Sequence, residues 1–337
     1  MNSERLAGID IARGFALIGM FVAHAAPRAG ETELVVDGRS ALLFATLAGV
    51  SLGLMSGGAR PTARRGQMRV AVILRALFLI GLGLVLWVIP TNIAIILDYY
   101  GVMFLLLVPL LFLPRAWLAG IAVVLFWIAP LLAAWVKPTA TGSSTPWQVA
   151  LILDRLLTGY YPALVWLPLL VVGLIAARSD LGRPQVQYTV ALGGIVAAVI
   201  GYGAAALLPG VSAAAHSSTH AEILGSGGFA FAVIGVLLIA TRPDFGWSRM
   251  LARLFAPIGA MGAMPLTVYT AQILVIAGFF IAAGRSFDVE YQSWWLVVGL
   301  VVGSAVFASL WRRFVGRGPL EWAIRRLSSP PSEHASV

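Results

Sequence analysis

The segment Gly57-Gly-Ala-Arg60-Pro-Thr-Ala-Arg64-Arg65-Gly-Gln-Met-Arg69 runs directly into Val70-Ala-Val-Ile-Leu-Arg75-Ala-Leu-Phe-Leu-Ile80-Gly-Leu-Gly-Leu-Val85-Leu-Trp-Val-Ile89. The first part carries four arginines; the second is an unbroken apolar run holding one charge, Arg75. A helix needs about 20 apolar residues to cross the hydrocarbon core of a bilayer. Arg and Lys collect in loops on the cytoplasmic side. The pair therefore reads as a cytoplasmic loop followed by a membrane span.

The same pattern repeats outward in both directions. Apolar spans are expected near residues 9–26, 40–57, 70–89, 93–113, 117–136, 160–177, 187–208, 227–241, 257–283 and 294–311. This predicts an all-α, polytopic bundle of about ten spanning helices with both termini cytoplasmic. Alternation puts 16 basic residues inside and five outside, with Arg13 and Arg75 within spans. The outer five are Arg28, Arg39, Lys137, Arg155 and Arg285. A wrong span count would scramble that asymmetry.

Composition supports the reading. Of 337 residues 60% are hydrophobic and 11% charged, against about 25% charged in soluble domains. The net charge of +9 is explained by loop arginines without nucleic acid. Cysteine is absent, which excludes disulfides, thiolate metal sites and a cysteine nucleophile. Residues 1–327 read as one domain and 328–337 as a disordered polar tail. Residues 14–23 before Ala23-His24-Ala25 have the outline of a signal peptide. Asp10 and Arg13 at the start of the run and His24 at its end favour an uncleaved first helix. Two outer segments carry more than a connection. Residues 138–159 include Trp147-Gln-Val-Ala-Leu-Ile-Leu-Asp154-Arg155, which reads as a short amphipathic helix. Residues 209–226 read as a loop containing His216, His220 and Glu222.

Ionisable side chains inside spans are costly and usually functional. Asp10, Arg13 and His24 share the first helix. Eleven residues separate Arg13 from His24, about three turns, so they lie on one face roughly 16 Å apart. Asp10 is placed to pair with Arg13. Asp98, near the outer end of the fourth span, has two candidate partners, Arg39 and His24. His216, His220 and Glu222 have metal-like spacing, but two histidines without a third firm ligand predict no metal. They read as acceptor-binding or acid/base groups, or as a solvated loop. Asp154 and Arg155 read as structural, and Tyr160, Tyr161 and Trp166 as interfacial aromatics. Thr267, Tyr269, Thr270 and Gln272 either line a cavity or bond neighbouring helices.

Arg13, ten residues, then His24 matches the Arg-x10-His motif of membrane-bound acyltransferases that modify sugars outside the cytoplasm. Arg5-Leu-Ala-Gly-Ile-Asp10-Ile-Ala-Arg13-Gly-Phe-Ala-Leu-Ile-Gly-Met20 and Gly38-Arg39-Ser-Ala-Leu-Leu-Phe-Ala-Thr-Leu-Ala-Gly-Val resemble the first two helices of heparan-alpha-glucosaminide N-acetyltransferase-like and YeiB-like proteins. Gly318-Pro-Leu-Glu321-Trp322 resembles the YeiB-like C-terminus. The chain departs from the eukaryotic enzyme, which resembles it but places a histidine in the loop after the first helix, because residues 25–39 contain none.

The resemblance implies acetyl-CoA, or another acyl-CoA, as a cytoplasmic donor and an extracytoplasmic glycan or small-molecule acceptor. It implies a multi-pass protein of the plasma (inner) membrane in contact with lipid. On this expectation His24, Arg13 and Asp98 are catalytic. Asp10, Arg39, His216, His220, Glu222 and Tyr269 support the site or bind acceptor, and Arg69 and Arg75 hold the nucleotide phosphates. His24 acts as general base or carries the acyl group. The alternative function is a proton-coupled transporter or lipid flippase, since intramembrane Asp, Arg and His also build proton relays.

Overall fold

The computed structural model describes residues 6–28, 35–140, 145–284 and 293–328. Arg5, Arg285 and the tail 329–337 lie outside them, so those sequence expectations have no structural counterpart. Within them every regular element is helical. In chain order these are α1 (Ala7–Ala25), α2 (Arg39–Met55), α3 (Arg65–Trp87), α4 (Leu97–Leu107), α5 (Arg115–Ala140) and α6 (Trp147–Leu153). A π-helical turn, Asp154–Thr158, leads to α7 (Ala163–Arg178), α8 (Pro184–Leu207) and α9 (His220–Ala240). There follow α10 (Ser248–Leu254), α11 (Ala256–Gly262), α12 (Pro265–Ala282), α13 (Trp294–Phe314) and α14 (Pro319–Ser328).

Seven of these helices are long and apolar enough to cross a membrane, or eight if the bent pair 147–178 is one span. The expected count of ten is larger because α2 and α4 are apolar but only 17 and 11 residues long. The expected span 257–283 is also broken. Its two parts, α11 and α12, are separated at Ala263 and Met264, just before Pro265. Proline has no N–H to donate and suits a first helical turn, so α12 restarts there.

Burial sorts the helices by position. Helix α7 is buried on nearly every side, as an all-round apolar helix at the centre of a bundle must be. Helix α1 buries Ala12, Ala16, Leu17 and Phe21 completely. By contrast α3, α5, α8 and α13 expose Val85, Leu131, Val199 and Val302. Such continuous apolar exposure suits hydrocarbon rather than water.

Small residues set the spacing around α1. A Cβ on Gly262 would stand 1.7 Å from the Asp10 carbonyl oxygen, and one on Gly14 would stand 2.2 Å from the Ile258 oxygen. Only glycine lets α11 lie backbone to backbone on α1, the close approach that membrane helices use. This contact directs α12 along the second half of α1, where Gln272 meets His24.

The Gly318-Pro-Leu-Glu321 motif has a structural reason. Glu321 accepts from the Leu266 and Thr267 N–H groups at 2.7 and 3.1 Å and from the Thr267 hydroxyl at 2.6 Å. It satisfies the free donors that open α12. A Cβ on Gly318 would collide with the Glu321 carboxylate at 2.1 Å. The C-terminal helix is thereby tied to the helix that carries Gln272.

Two ends of the bundle differ in character. One gathers Arg64, Arg75, Arg317 and Arg325 and is called here the arginine end. The other gathers His24 and His216 and is called the histidine end.

A two-histidine cavity at one end of the bundle

His24 stands in the last turn of α1. Its Nδ1 lies 2.5 Å from Gln272 Nε2 of α12. An amide N–H donates, so Nδ1 accepts and the proton of a neutral His24 ring sits on Nε2. Gln272 Oε1 is buried without a partner. The reverse orientation of the amide would strand its NH2 group instead, with two unused donors in place of one acceptor.

His216 comes from the connection between α8 and α9. His216 and Ser218 both have φ near +58°, a region that costs side-chain-bearing residues about 1–3 kcal/mol. Glu222, fully buried, holds them there. Its carboxylate accepts from His216 N at 2.6 Å, Ser218 N at 2.7 Å and the Ser217 hydroxyl at 3.4 Å. The Thr219 hydroxyl caps α9 by accepting from Glu222 N at 3.1 Å. Residues 220–222 are thus the first turn of α9, whereas the sequence reading has them in a loop. Glu222 thereby shapes the histidine segment.

The His216 ring stacks on Tyr160 with centroids 3.8 Å apart, and Tyr161 and Trp166 flank it. Its Nδ1 lies 3.0 Å from the Tyr160 carbonyl. A carbonyl only accepts, so Nδ1 carries the proton and Nε2 presents a lone pair. Burial holds this imidazole's pKa down from 6.5 to about 4, against the opposing pull of the Tyr160 carbonyl and Asp37. It is neutral at physiological pH.

Both histidines line one cavity of about 520 Å³ with Arg28, Asp37, Tyr161 and Tyr269. Arg28 grips Asp37 through both nitrogens at 3.1 and 3.2 Å and donates to the Ala23 carbonyl at 2.9 Å. This bidentate pair holds the start of α2 against the end of α1. Gly38 follows, at φ +64°, where a Cβ would lie 2.9 Å from Ala215 Cβ. Tyr269 is buried, and its hydroxyl accepts from Ile96 N at 3.4 Å.

The other predicted residues divide plainly. Asp98 meets neither Arg39 nor His24. Arg155 takes it at 2.7 Å and sits 4.5 Å over the Tyr99 ring. Arg155 also pairs with Asp154, which accepts from the Tyr99 hydroxyl at 2.6 Å. This cluster anchors the π-helical turn to α4 and touches the cavity wall through Tyr99 on Tyr161. His220 packs on Phe126 and Trp127, with Nε2 3.2 Å from the Trp127 carbonyl, and does not join His216. Arg39 bonds the Tyr202 hydroxyl at 2.7 Å.

Arg13 bonds Asp10 at 2.8 Å, as expected, and Ser51 at 2.7 Å. It lies toward the arginine end, about 16 Å along α1 from His24. Arg75 lines a second cavity of about 420 Å³ with Arg64, Arg317 and Arg325. Arg69 does not line it; its guanidinium lies 5.7 Å from the Phe112 ring. Among the described residues no group of three His, Cys, Asp or Glu side chains is placed to hold a metal ion.

The sequence reading missed the Arg28–Asp37 pair and the link from Gln272 to His24. Opposite charges nine residues apart at the mouth of the first two helices were a usable signal for the pair. Gln272 had only the weaker signal of a polar residue in an apolar run.

The His216 environment gives a pH prediction. Above about pH 6.5 both folded and unfolded chains hold this ring neutral, so it contributes no pH dependence. Between about 6.5 and 4 only the unfolded segment takes up the proton, and stability therefore falls as the pH falls. After correction for the intrinsic, base-catalysed exchange rate, protection of the amides at residues 214–218 should be lower at pH 5 than at pH 7.5, and His216→Asn should remove the difference. An unchanged pH response in that variant would refute the assignment.

The fold and its exposed apolar faces define a multi-pass, all-helical membrane protein with a polar cavity at one end. Residues 175–330 match the family model described as "Protein of unknown function (DUF418)", a family associated with YeiB-like membrane proteins. The match runs from the end of α7 through α14 and includes His216, Gln272 and Glu321. The chain is also 33% identical over 81 residues to an "Uncharacterized 39.9 kDa protein in amylase 3'region" of Bacillus acidopullulyticus. That alignment covers 23% of this chain and 22% of the relative, so the chain spans about a fifth of the length of the curated relative it matches.

Proposed function

We propose that this protein is a membrane acyltransferase that uses the two-histidine cavity to activate an acceptor hydroxyl or amine. The observation that carries the reading is two histidines on one cavity whose Nδ1 atoms have partners of opposite sense, an amide donor for His24 and a carbonyl acceptor for His216. His216 Nε2 is a proton acceptor, and His24 Nε2–H is a donor. An acyl transfer needs both. His216 takes the proton from the acceptor as its oxygen or nitrogen attacks the thioester carbonyl. His24 donates a hydrogen bond to the oxygen that becomes negative. The carbon–sulfur bond then breaks, an ester or amide bond forms, and the proton passes to the departing thiolate to give free CoA. Tyr160, which is half exposed on the cavity, supplies a face on which a sugar ring can stack.

The donor is acetyl-CoA or a related acyl-CoA. Arg64, Arg75, Arg317 and Arg325 around the second cavity suit the phosphates of its nucleotide, since guanidinium groups bind phosphate through two parallel hydrogen bonds. In this reading the bundle crosses the plasma membrane about ten times, with the arginine end and both termini in the cytoplasm and the histidine cavity outside. The arginine asymmetry supports that orientation.

Two measurements test it. The chain has no cysteine, so a thiol reagent added to purified protein reports only CoA released from acetyl-CoA. Release stimulated by a glycan acceptor is expected. Absence of both CoA binding and thiol release would sink the proposal, and substrate transport without CoA chemistry would favour a carrier. For orientation, a cysteine at Val211 should react with an impermeant maleimide in intact cells, and one at Thr62 should not. The opposite labelling would invert the topology.

A further inference from the structure

A second feature of the histidine end lies on the flank of the bundle. An apolar groove of about 480 Å³ runs between α1, α2 and α9, lined by Phe15, Leu43, Phe229, Val233 and Leu237, with Arg39 at its upper end. From Phe229 to Leu237 is eight residues of helix, about 12 Å. That approaches the ~15 Å depth of one leaflet of a bilayer whose core is about 30 Å thick.

Among the described residues Arg39 is the only charge lining this groove, and it is fixed in place. Its Nε donates to the Tyr202 hydroxyl at 2.7 Å, its Nη1 donates to the Val35 carbonyl at 2.9 Å, and its guanidinium lies over the Tyr202 ring. Tyr202 is held in turn by Ser226 at 3.1 Å. Among the described residues no carboxylate pairs with Arg39. A positive charge with no counter-ion among the described residues, above a slot one leaflet deep, is complementary to a lipid with a phosphate head and an apolar tail.

Ser40 connects this groove to the chemistry, because it lines both the groove and the two-histidine cavity. Gly19 faces it so closely that a Cβ there would lie 2.7 Å from Ser40 Cβ. The wall between groove and cavity is therefore made of the smallest side chains.

We infer that the groove seats one anionic lipid, with its phosphate on Arg39 and its chain between α1, α2 and α9, and that its head group passes Ser40 into the cavity. Resting on the acyl-transfer reading, this makes the acceptor a lipid-phosphate-linked hydroxyl or amine rather than a freely soluble sugar.

The test uses the full chain in neutral detergent, titrated with dioleoyl phosphatidylglycerol or dioleoyl phosphatidylcholine and read by native mass spectrometry. One phosphatidylglycerol should bind at least about tenfold more tightly than phosphatidylcholine. Arg39→Gln should lose about tenfold or more of that preference, the scale of a charged hydrogen bond. Val236→Trp fills the groove below Arg39 without touching the Tyr202 contact and should weaken both lipids. Equal binding of the two lipids by the native chain would overturn the inference, as would native binding in both variants. Competition by glycerol phosphate as strong as by phosphatidylglycerol would also overturn it, since the tail would then contribute nothing.

CoA release separates this from the enzymatic reading. Lipid binding that depends on Arg39, without any CoA release, leaves the lipid seat standing and removes the acyltransferase. CoA release to a soluble acceptor, unaffected in Arg39→Gln and with no lipid preference, does the reverse.

Discussion

His216→Asn is expected to slow acetyl transfer by about 10²–10⁴-fold, the usual cost of losing a general base, with CoA affinity unchanged. Asparagine is the informative replacement because it tolerates the positive φ that residue 216 adopts. Glu222 can therefore still hold the segment through the backbone N–H groups of residues 216 and 218. The loss would then report chemistry rather than a collapsed loop. His24→Ala removes a hydrogen-bond donor from the developing oxyanion and should cost about 10²–10³-fold. Gln272→Leu frees His24 Nδ1 to carry the proton, so its effect should be smaller than that of His24→Ala. The measurement is CoA release and CoA binding on the same monodisperse samples. Wild-type turnover in both histidine variants would defeat the catalytic assignment. Equal loss of CoA binding in both would move the histidines to the donor site.

The residues of this cavity were unequally legible in the sequence. His24 could be found because an imidazole inside an apolar run is expensive and its spacing from Arg13 is countable. His216 could be named but not separated from His220, since both sit in one serine-rich stretch. Their roles diverge only because α9 starts at His220. That start turns His220 onto Trp127 and leaves His216 in the preceding turn, on Tyr160. Asp98 was misdirected for a related reason. Its partner Arg155 lies 57 residues away in a π-helical turn, and hydrophobic periodicity carries no information on such pairs. The bundle itself was legible because twenty-residue apolar runs state their length directly. The break before Pro265 was less so, since an apolar stretch looks the same whether its helix is continuous or restarted.

Arg178 illustrates the same limit and gives the second large prediction. In the sequence it reads as one more arginine of a cytoplasmic loop, beside Arg183. In the fold it is buried at the end of α7. Its two terminal nitrogens donate to the Gly58 carbonyl at 2.7 Å, the Leu111 carbonyl at 2.8 Å and the Ser56 hydroxyl at 2.8 Å, with a longer contact to the Ser56 carbonyl. One guanidinium thus ties α7 to the turn after α2 and to the segment after α4. Arg178→Ala would strand three buried acceptors, at about 1–3 kcal/mol each. Even the lower bound is a large part of the roughly 5–15 kcal/mol that holds a typical fold. Arg178→Lys should recover little, because an ammonium group cannot reproduce the planar fork that reaches three separate sites. Both variants should show a markedly lower melting temperature in detergent and a reduced monodisperse yield, whereas Arg183→Ala, exposed on the next turn, should match the native protein. A lysine variant with native melting behaviour would mean that the clamp contributes charge alone, and that Arg178 belongs with the loop arginines after all.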